Sequence, residues 1–135
     1  MQLDLFCPIY ESVGVVTYVP DNQSPGWAYL EVDQDLSHYY RWLSRIPWRS
    51  PLNGTHITFV AGQHEGRVVS KSEMNEWLGK PIMFYYSPLL HTNGSSWWLN
   101  VKSDGLDQIR GKLGLLPRPS YHVTLGNLKE NRKRT

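Results

Sequence analysis

The feature that most constrains this chain of 135 residues is an internal duplication. Two segments, each reading as strand, amphipathic helix, proline-containing loop and strand, end on the same pattern, His56-Ile57-Thr58 and His122-Val123-Thr124. In the first, Trp27 to Val32 has the composition of a strand. Asp35 to Ile46 then sets Leu36, Tyr39, Tyr40, Leu43 and Ile46 at the three-to-four spacing of one helix face, with Asp33 or Asp35 as cap and Pro47 as stop. In the second, Trp97 to Val101 is the strand, Asp104 caps a helix carrying Leu106, Ile109 and Leu113 on one face, and Gly114, Pro117 and Pro119 lead out of it. Leu30 and Val32 align with Leu99 and Val101. A unit this long, present only twice, is no solenoid repeat; it implies two halves about a pseudo-two-fold axis, with the motifs facing each other.

Around the repeat, Val13 to Val19 reads as a strand closed by Pro20-Asp21-Asn22, and Ser70 to Leu78 as a short helix capped by Ser70 or Ser72 with Met74, Trp77 and Leu78 inward. Ile82 to Tyr86 is an apolar strand, and His91-Thr92-Asn93-Gly94 has hairpin-turn chemistry. A hydrophobic content of 40% with six tryptophans can fill the core of one domain. The expected architecture is therefore a single α+β domain over 1–135. It is bilobal, with lobe one at about 13–62 and lobe two at about 80–128, and residues 129–135 form a basic tail. Each lobe is β-α-β, the antiparallel strands forming a concave sheet core and the helices lying outside.

Composition narrows the function. A net charge of +2 gives no strong field for nucleic acid or an anionic membrane, so an anionic ligand must be captured locally. One cysteine, Cys7, excludes an internal disulfide framework and a multi-cysteine zinc site. Without a leader pattern from Met1 to Pro8 or an apolar run near the ~20 residues that span a bilayer, the expected location is the cytoplasm, with no membrane partner. The run Lys129-Glu130-Asn131-Arg132-Lys133-Arg134 reads as a solvated end, or alternatively as a phosphate-binding arm.

Side chains alternate along a strand, so His56 and Thr58 share one face, as do His122 and Thr124, while Ile57, Phe59, Val123 and Leu125 point into the apolar layer. Brought together, two imidazoles and two hydroxyls suit phosphodiester cleavage. A neutral histidine takes a proton from the attacking hydroxyl or water, a protonated one gives a proton to the leaving oxygen, and the threonine hydroxyls donate to the non-bridging oxygens. The scheme calls for no metal and no cofactor. A zinc site of His56, His122 and Cys7 is disfavoured because structural zinc wants four clustered ligands. A purely structural role for the two histidines is the plain alternative.

Paired, apolar-flanked His-x-Thr motifs at the ends of two β-α-β halves resemble the 2H phosphoesterase superfamily, with its LigT-like fold, from about Trp27 to Leu128. The resemblance implies that His56, Thr58, His122 and Thr124 are catalytic and that the substrate is a nucleotide: a 2′,3′-cyclic phosphate, a 2′-5′ linkage or a cyclic oligonucleotide. In the bacterial RNA cyclic phosphodiesterases the second motif usually continues to an arginine, where this chain has Asn127. The compact length and motif spacing look more like viral members, which implies a phage-type (anti-CBASS) phosphodiesterase degrading a cyclic oligonucleotide immune signal in the host cytoplasm.

For substrate contact the sequence offers Tyr18, Trp48, Tyr85, Trp97 and Tyr121 as rings that could stack on a base, with core packing as the alternative for each; Tyr86 and Trp98 share that ambiguity. Arg67, Lys80 and Lys102 are the cations named for backbone or phosphate. His38, His64 and His91 lack a threonine partner and read as surface or capping residues. A nucleotide-sequestering protein that does not cut, and an interaction module, remain as other functions. No protein partner is implied.

Overall fold

Nine residues of alternating exposure, Tyr10–Tyr18, form the first strand, β1, with Gly14 and Val16 turned inward. It pairs antiparallel along one edge with β2 (Trp27–Glu31) and along the other with β4 (Pro81–Tyr86). The motif strands are β3 (His56–Ala61) and β7 (Tyr121–Asn127), β6 is Ser96–Lys102, and a two-residue strand, β5 (His91–Thr92), adds to β6. The computed structural model describes residues 9–19, 26–44 and 54–127. Among these the strands run in the order β4-β1-β2-β3-β7-β6-β5, and β4 also pairs with β6 through Tyr85↔Lys102 and Tyr86↔Val101. Six antiparallel strands thus close into a barrel, which removes the exposed sheet edges that an open arrangement would carry.

This corrects the expected bilobal α+β fold. The protein is mostly β, with three α-helices among the described residues: α1 (Asp35–Ser44), α2 (Lys71–Met74) and α3 (Asp104–Lys112). The physical reason lies in β1 and β4. Their register from Tyr10↔Tyr86 to Val15↔Pro81 and the β4–β6 pairing join the flanks of the two halves, so neither half closes as a lobe of its own. Within the barrel the repeated unit is still visible, as β2-α1-β3 and β6-α3-β7, with β3 and β7 side by side.

Inward residues of the motif strands and their neighbours, Leu30, Ile57, Phe59, Leu99, Val101, Val123 and Leu125, are fully buried. They share one core with Tyr40 of α1 and with Leu106 and Ile109 of α3, so both helices lie on the core side of the sheet and the opposite side is left open. Asp33 caps α1 by accepting from the Asp35 amide at 2.9 Å. Ser103, rather than Asp104, caps α3, its hydroxyl accepting from the Leu106 amide at 3.2 Å and donating to the Met83 carbonyl of β4 at 2.8 Å. On α1, buried Ser37 donates to the Leu125 carbonyl of β7 at 2.7 Å.

The helix expected over Ser70 to Leu78 stops after one turn. Ser70 and Glu73 form a capping box, but the amides of Asn75 and Trp77 then bond to carbonyls three residues back, Ser72 and Met74, which tightens the chain into a turn. Arg110 of α3, 3% exposed, joins helix to sheet: it donates to the Phe59 carbonyl at 2.7 Å and to both carboxylate oxygens of Glu65 at 2.8 and 2.9 Å. Trp48, Cys7 and the basic run from Lys129 to Arg134 lie outside the described residues. Among the described residues no helix is long and apolar enough to cross a membrane.

Candidate functional site

The two motifs meet at the β3–β7 pairing, where His56 stands directly opposite Thr124. Continuing that antiparallel register by two residues carries Thr58 toward His122. Ile57 and Val123 are fully buried behind the motifs, so all four polar side chains point to the open side of the sheet. His56, Thr58 and Thr124 are half-buried there and His122 is exposed.

Cross-strand neighbours extend this face on both sides. Beside β3, Glu31 stands opposite His56 and Tyr29 opposite Thr58. Beside β7, Trp98 stands opposite Thr124 and Asn100 opposite His122, and β5 brings His91 opposite Trp98. The Tyr29 ring meets His56 edge-on at 5.6 Å, the Trp98 indole lies 5.9 Å from His122, and His91 is stacked on Trp98 at 6.2 Å.

His56 Nδ1 lies 2.6 Å from the Gly54 carbonyl oxygen. A carbonyl can only accept, so Nδ1 carries the proton and Nε2 is the nitrogen left for a ligand. Gly54 presents that carbonyl from φ +71°, a backbone conformation that side-chain-bearing residues rarely adopt. Burial lowers the pKa of His56 below the ordinary histidine value, and the Gly54 carbonyl pulls partly the other way. His122 is lowered too, first by neighbours packed against the covered side of its otherwise exposed ring, then by the charge of Arg118, then by that of His56. The neutral form of both is therefore favoured near pH 7.

Several residues expected at the site lie elsewhere. Trp97 is 6% exposed and faces the core; its neighbour Trp98 is the outward ring. Tyr121 is 2% exposed, its hydroxyl donates to Asp107 Oδ1 at 2.7 Å, and burial followed by that carboxylate drives its pKa up. Tyr18 is a structural tie, donating to the Val69 carbonyl at 2.9 Å and accepting from the Gly26 amide at 3.1 Å. Arg67 pairs with Glu73 at 2.9 Å, away from the motif strands. Lys102 and Tyr85 sit opposite each other where β4 meets β6, and the Lys102 ammonium is bonded to the Pro119 carbonyl. Asn127, at the position of the expected arginine, accepts from the Ser96 hydroxyl at 2.8 Å.

Tyr29, Glu31, Asn100, His91 and Arg118 were not named for the site from sequence. The alternation along the strands carries a signal for three of them, Tyr29, Glu31 and Asn100. Leu30, Leu99 and Val101 alternate inward, and that phase turns Tyr29, Glu31, Trp98 and Asn100 outward, just as Val123 turns Tyr121 inward. His91 depends on the pairing of β5, and Arg118 lies in the loop before β7, its guanidinium 5.5 Å from the centre of the Tyr121 ring. Among the described residues no three His, Cys, Asp or Glu side chains gather as metal ligands would. Compared with protein-family models, with curated proteins and with solved structures, the chain finds no match in any of the three.

Proposed function

We propose that this chain is a metal-independent phosphodiesterase acting on a nucleotide, with His56 and His122 as its acid–base pair. One observation carries the proposal: His56 stands opposite Thr124 on adjoining strands whose motif side chains all face one open surface. A phosphate seated there is within reach of both imidazoles. The neutral imidazole takes the proton of the attacking hydroxyl or water. The other, protonated as the anion binds, delivers its proton to the oxygen that leaves phosphorus, and the hydroxyls of Thr58 and Thr124 donate to the non-bridging oxygens. The Gly54 bond fixes the His56 tautomer, so its Nε2 is the nitrogen that acts.

The finer expectation, a phage-type enzyme degrading a cyclic oligonucleotide signal, is part of the same proposal. Incubating the protein with cyclic di- and trinucleotides, 2′-5′ oligoadenylate and 2′,3′-cyclic mononucleotides in the presence of a chelator, with products read by chromatography, tests both levels. Cleavage of cyclic oligonucleotides that is lost in His56→Ala supports the whole. Cleavage of the other classes alone replaces the substrate, and no cleavage of any removes the enzyme. A nucleotide-sequestering function has one observation in its favour: the surroundings of both histidines disfavour the proton that an acid must donate. Recovery of intact ligand after heat denaturation identifies that outcome.

A further inference from the structure

Around the motifs the two halves correspond residue by residue. In the first, Tyr29 pairs with Thr58, Leu30 with Ile57 and Glu31 with His56; in the second, Trp98 pairs with Thr124, Leu99 with Val123 and Asn100 with His122. Each register shifts at the same point, between Ala28 and Tyr29 and between Trp97 and Trp98. The unmatched residue falls on the motif strand just after the threonine, as Phe59 and as Leu125, both fully buried. Tyr29 and Trp98 are therefore equivalent positions. Each is a half-buried ring on the open face, set against the histidine of its own half at 5.6 and 5.9 Å.

We propose that Tyr29 and Trp98 are paired nucleobase platforms on opposite sides of the scissile phosphate, so that the substrate class is a phosphodiester joining two nucleosides rather than a terminal phosphate bearing one. This rests on the phosphodiesterase function proposed above. A phosphorus shared by the motif histidines lies over β3 and β7, and its two ester arms leave toward β2 and toward β6. Each arm meets an aromatic face, which every base can stack on. The two motif strands lie between those outer strands, so the two bases are splayed, one to each ring, with the sugar-phosphate link across the histidines.

The platforms differ in ways that set their order of engagement. The Trp98 indole is backed on its outer side by His91, nearly parallel at 18°, and the Asn100 side-chain amide donates to His91 Nε2 at 3.2 Å. That ring is held before ligand arrives, which lowers the entropy lost on binding. Among the described residues Tyr29 meets no ring besides His56 itself, and Glu31 rather than an amide stands beside it opposite the histidine.

Calorimetric titration with the phosphorothioate of adenylyl-(3′→5′)-adenosine and, separately, with AMP tests this. The wild-type protein binds the dinucleoside at least about 5-fold more tightly than AMP, Tyr29→Thr and Trp98→Thr each lose about 5- to 100-fold on the dinucleoside, and the double variant shows no preference between the two ligands. Threonine suits a strand, and Tyr29→Phe and Trp98→Phe, which keep a stacking face, retain most of the affinity. A preference that survives in the double variant, a loss confined to one ring, or no preference in the wild type overturns the platforms. Turnover of bis(p-nitrophenyl) phosphate by the wild type is followed in parallel. Turnover without dinucleoside preference removes the platforms and leaves the phosphodiesterase, whereas preference without turnover of any ester does the reverse.

Discussion

Replacing Arg110 by methionine, which matches its length without its charge, tests how the motif strand is anchored. The guanidinium is 3% exposed and donates to the Phe59 and Leu116 carbonyls and to both oxygens of Glu65, whose side chain is 10% exposed. Burial by itself pushes the Glu65 carboxyl up, but the hydrogen bonds from Arg110 and from the Ala61 amide, with the charges of Arg110 and Arg118, outweigh it and hold the group below the ordinary glutamate range. Arg110→Met leaves that carboxylate nearly buried with the Ala61 amide as its remaining hydrogen-bond donor. Removing one partner of a buried pair costs about 3–5 kcal/mol, a large share of the roughly 5–15 kcal/mol that holds a domain of this size together. Urea denaturation at pH 7 reads it as a fall in midpoint at unchanged slope. Adding Glu65→Gln in the same chain removes the orphan charge and restores at least about 1 kcal/mol. As pH falls through the depressed Glu65 value the wild type loses this contribution, so the gap between wild type and Arg110→Met narrows in acid. A loss under about 1 kcal/mol at pH 7, or a gap that widens in acid, refutes the assigned role.

Both imidazoles are lowered in the free protein and catalysis needs one of them protonated, so the profile of kcat/KM peaks on the acid side of the ordinary histidine value, about 6.5, and falls toward pH 8; a plateau to pH 8 contradicts it. Those lowered values also mean that the unfolded chain binds protons first, so native stability declines on acidification below about pH 6.5, and less steeply in His56→Gln, as melting curves at several pH values will report. Thr58→Val and Thr124→Val each lower kcat by about 10²-fold with folding stability changed by less than about 1 kcal/mol, and an unaltered kcat removes the hydroxyls from the scheme. Tyr121→Phe, which breaks the bond to Asp107, lowers stability by about 1–2 kcal/mol without changing dinucleoside affinity; the opposite pattern would return Tyr121 to the ligand face.

How far the sequence carries is clearest on the motif strands. His56 and Thr58 alternate with Ile57 and Phe59, and that period alone assigns their faces. The same rule, run backward from Leu99 and Val101, separates Trp98 from Trp97 and turns Trp97 to the core, where the structure has it. Closure of the barrel is different in kind. Val15↔Pro81 and Tyr86↔Val101 join strands remote in sequence, and periodicity states which face a residue takes but not which strand lies beside it. Helices are over-read for a related reason: Met74, Trp77 and Leu78 do pack on the core at helical spacing, but the amides of Asn75, Trp77 and Lys80 bond to the third residue back, while that of Leu78 still reaches Met74, the fourth. His91 reaches the face from an edge hairpin, whose course depends on contacts that no local pattern encodes.

The central claim is that His56 and His122 act as one unit on one phosphorus atom. Turnover of a dinucleoside monophosphate by His56→Ala, His122→Ala and the double variant, with chelator present, tests it most directly. Each single variant should lose about 10²- to 10⁴-fold in kcat, and the double should lose little more than the worse single, since an acid–base pair fails when either member is gone. If either single variant keeps turnover within about 10-fold of wild type, or the losses multiply in the double, the two histidines do not form the catalytic pair.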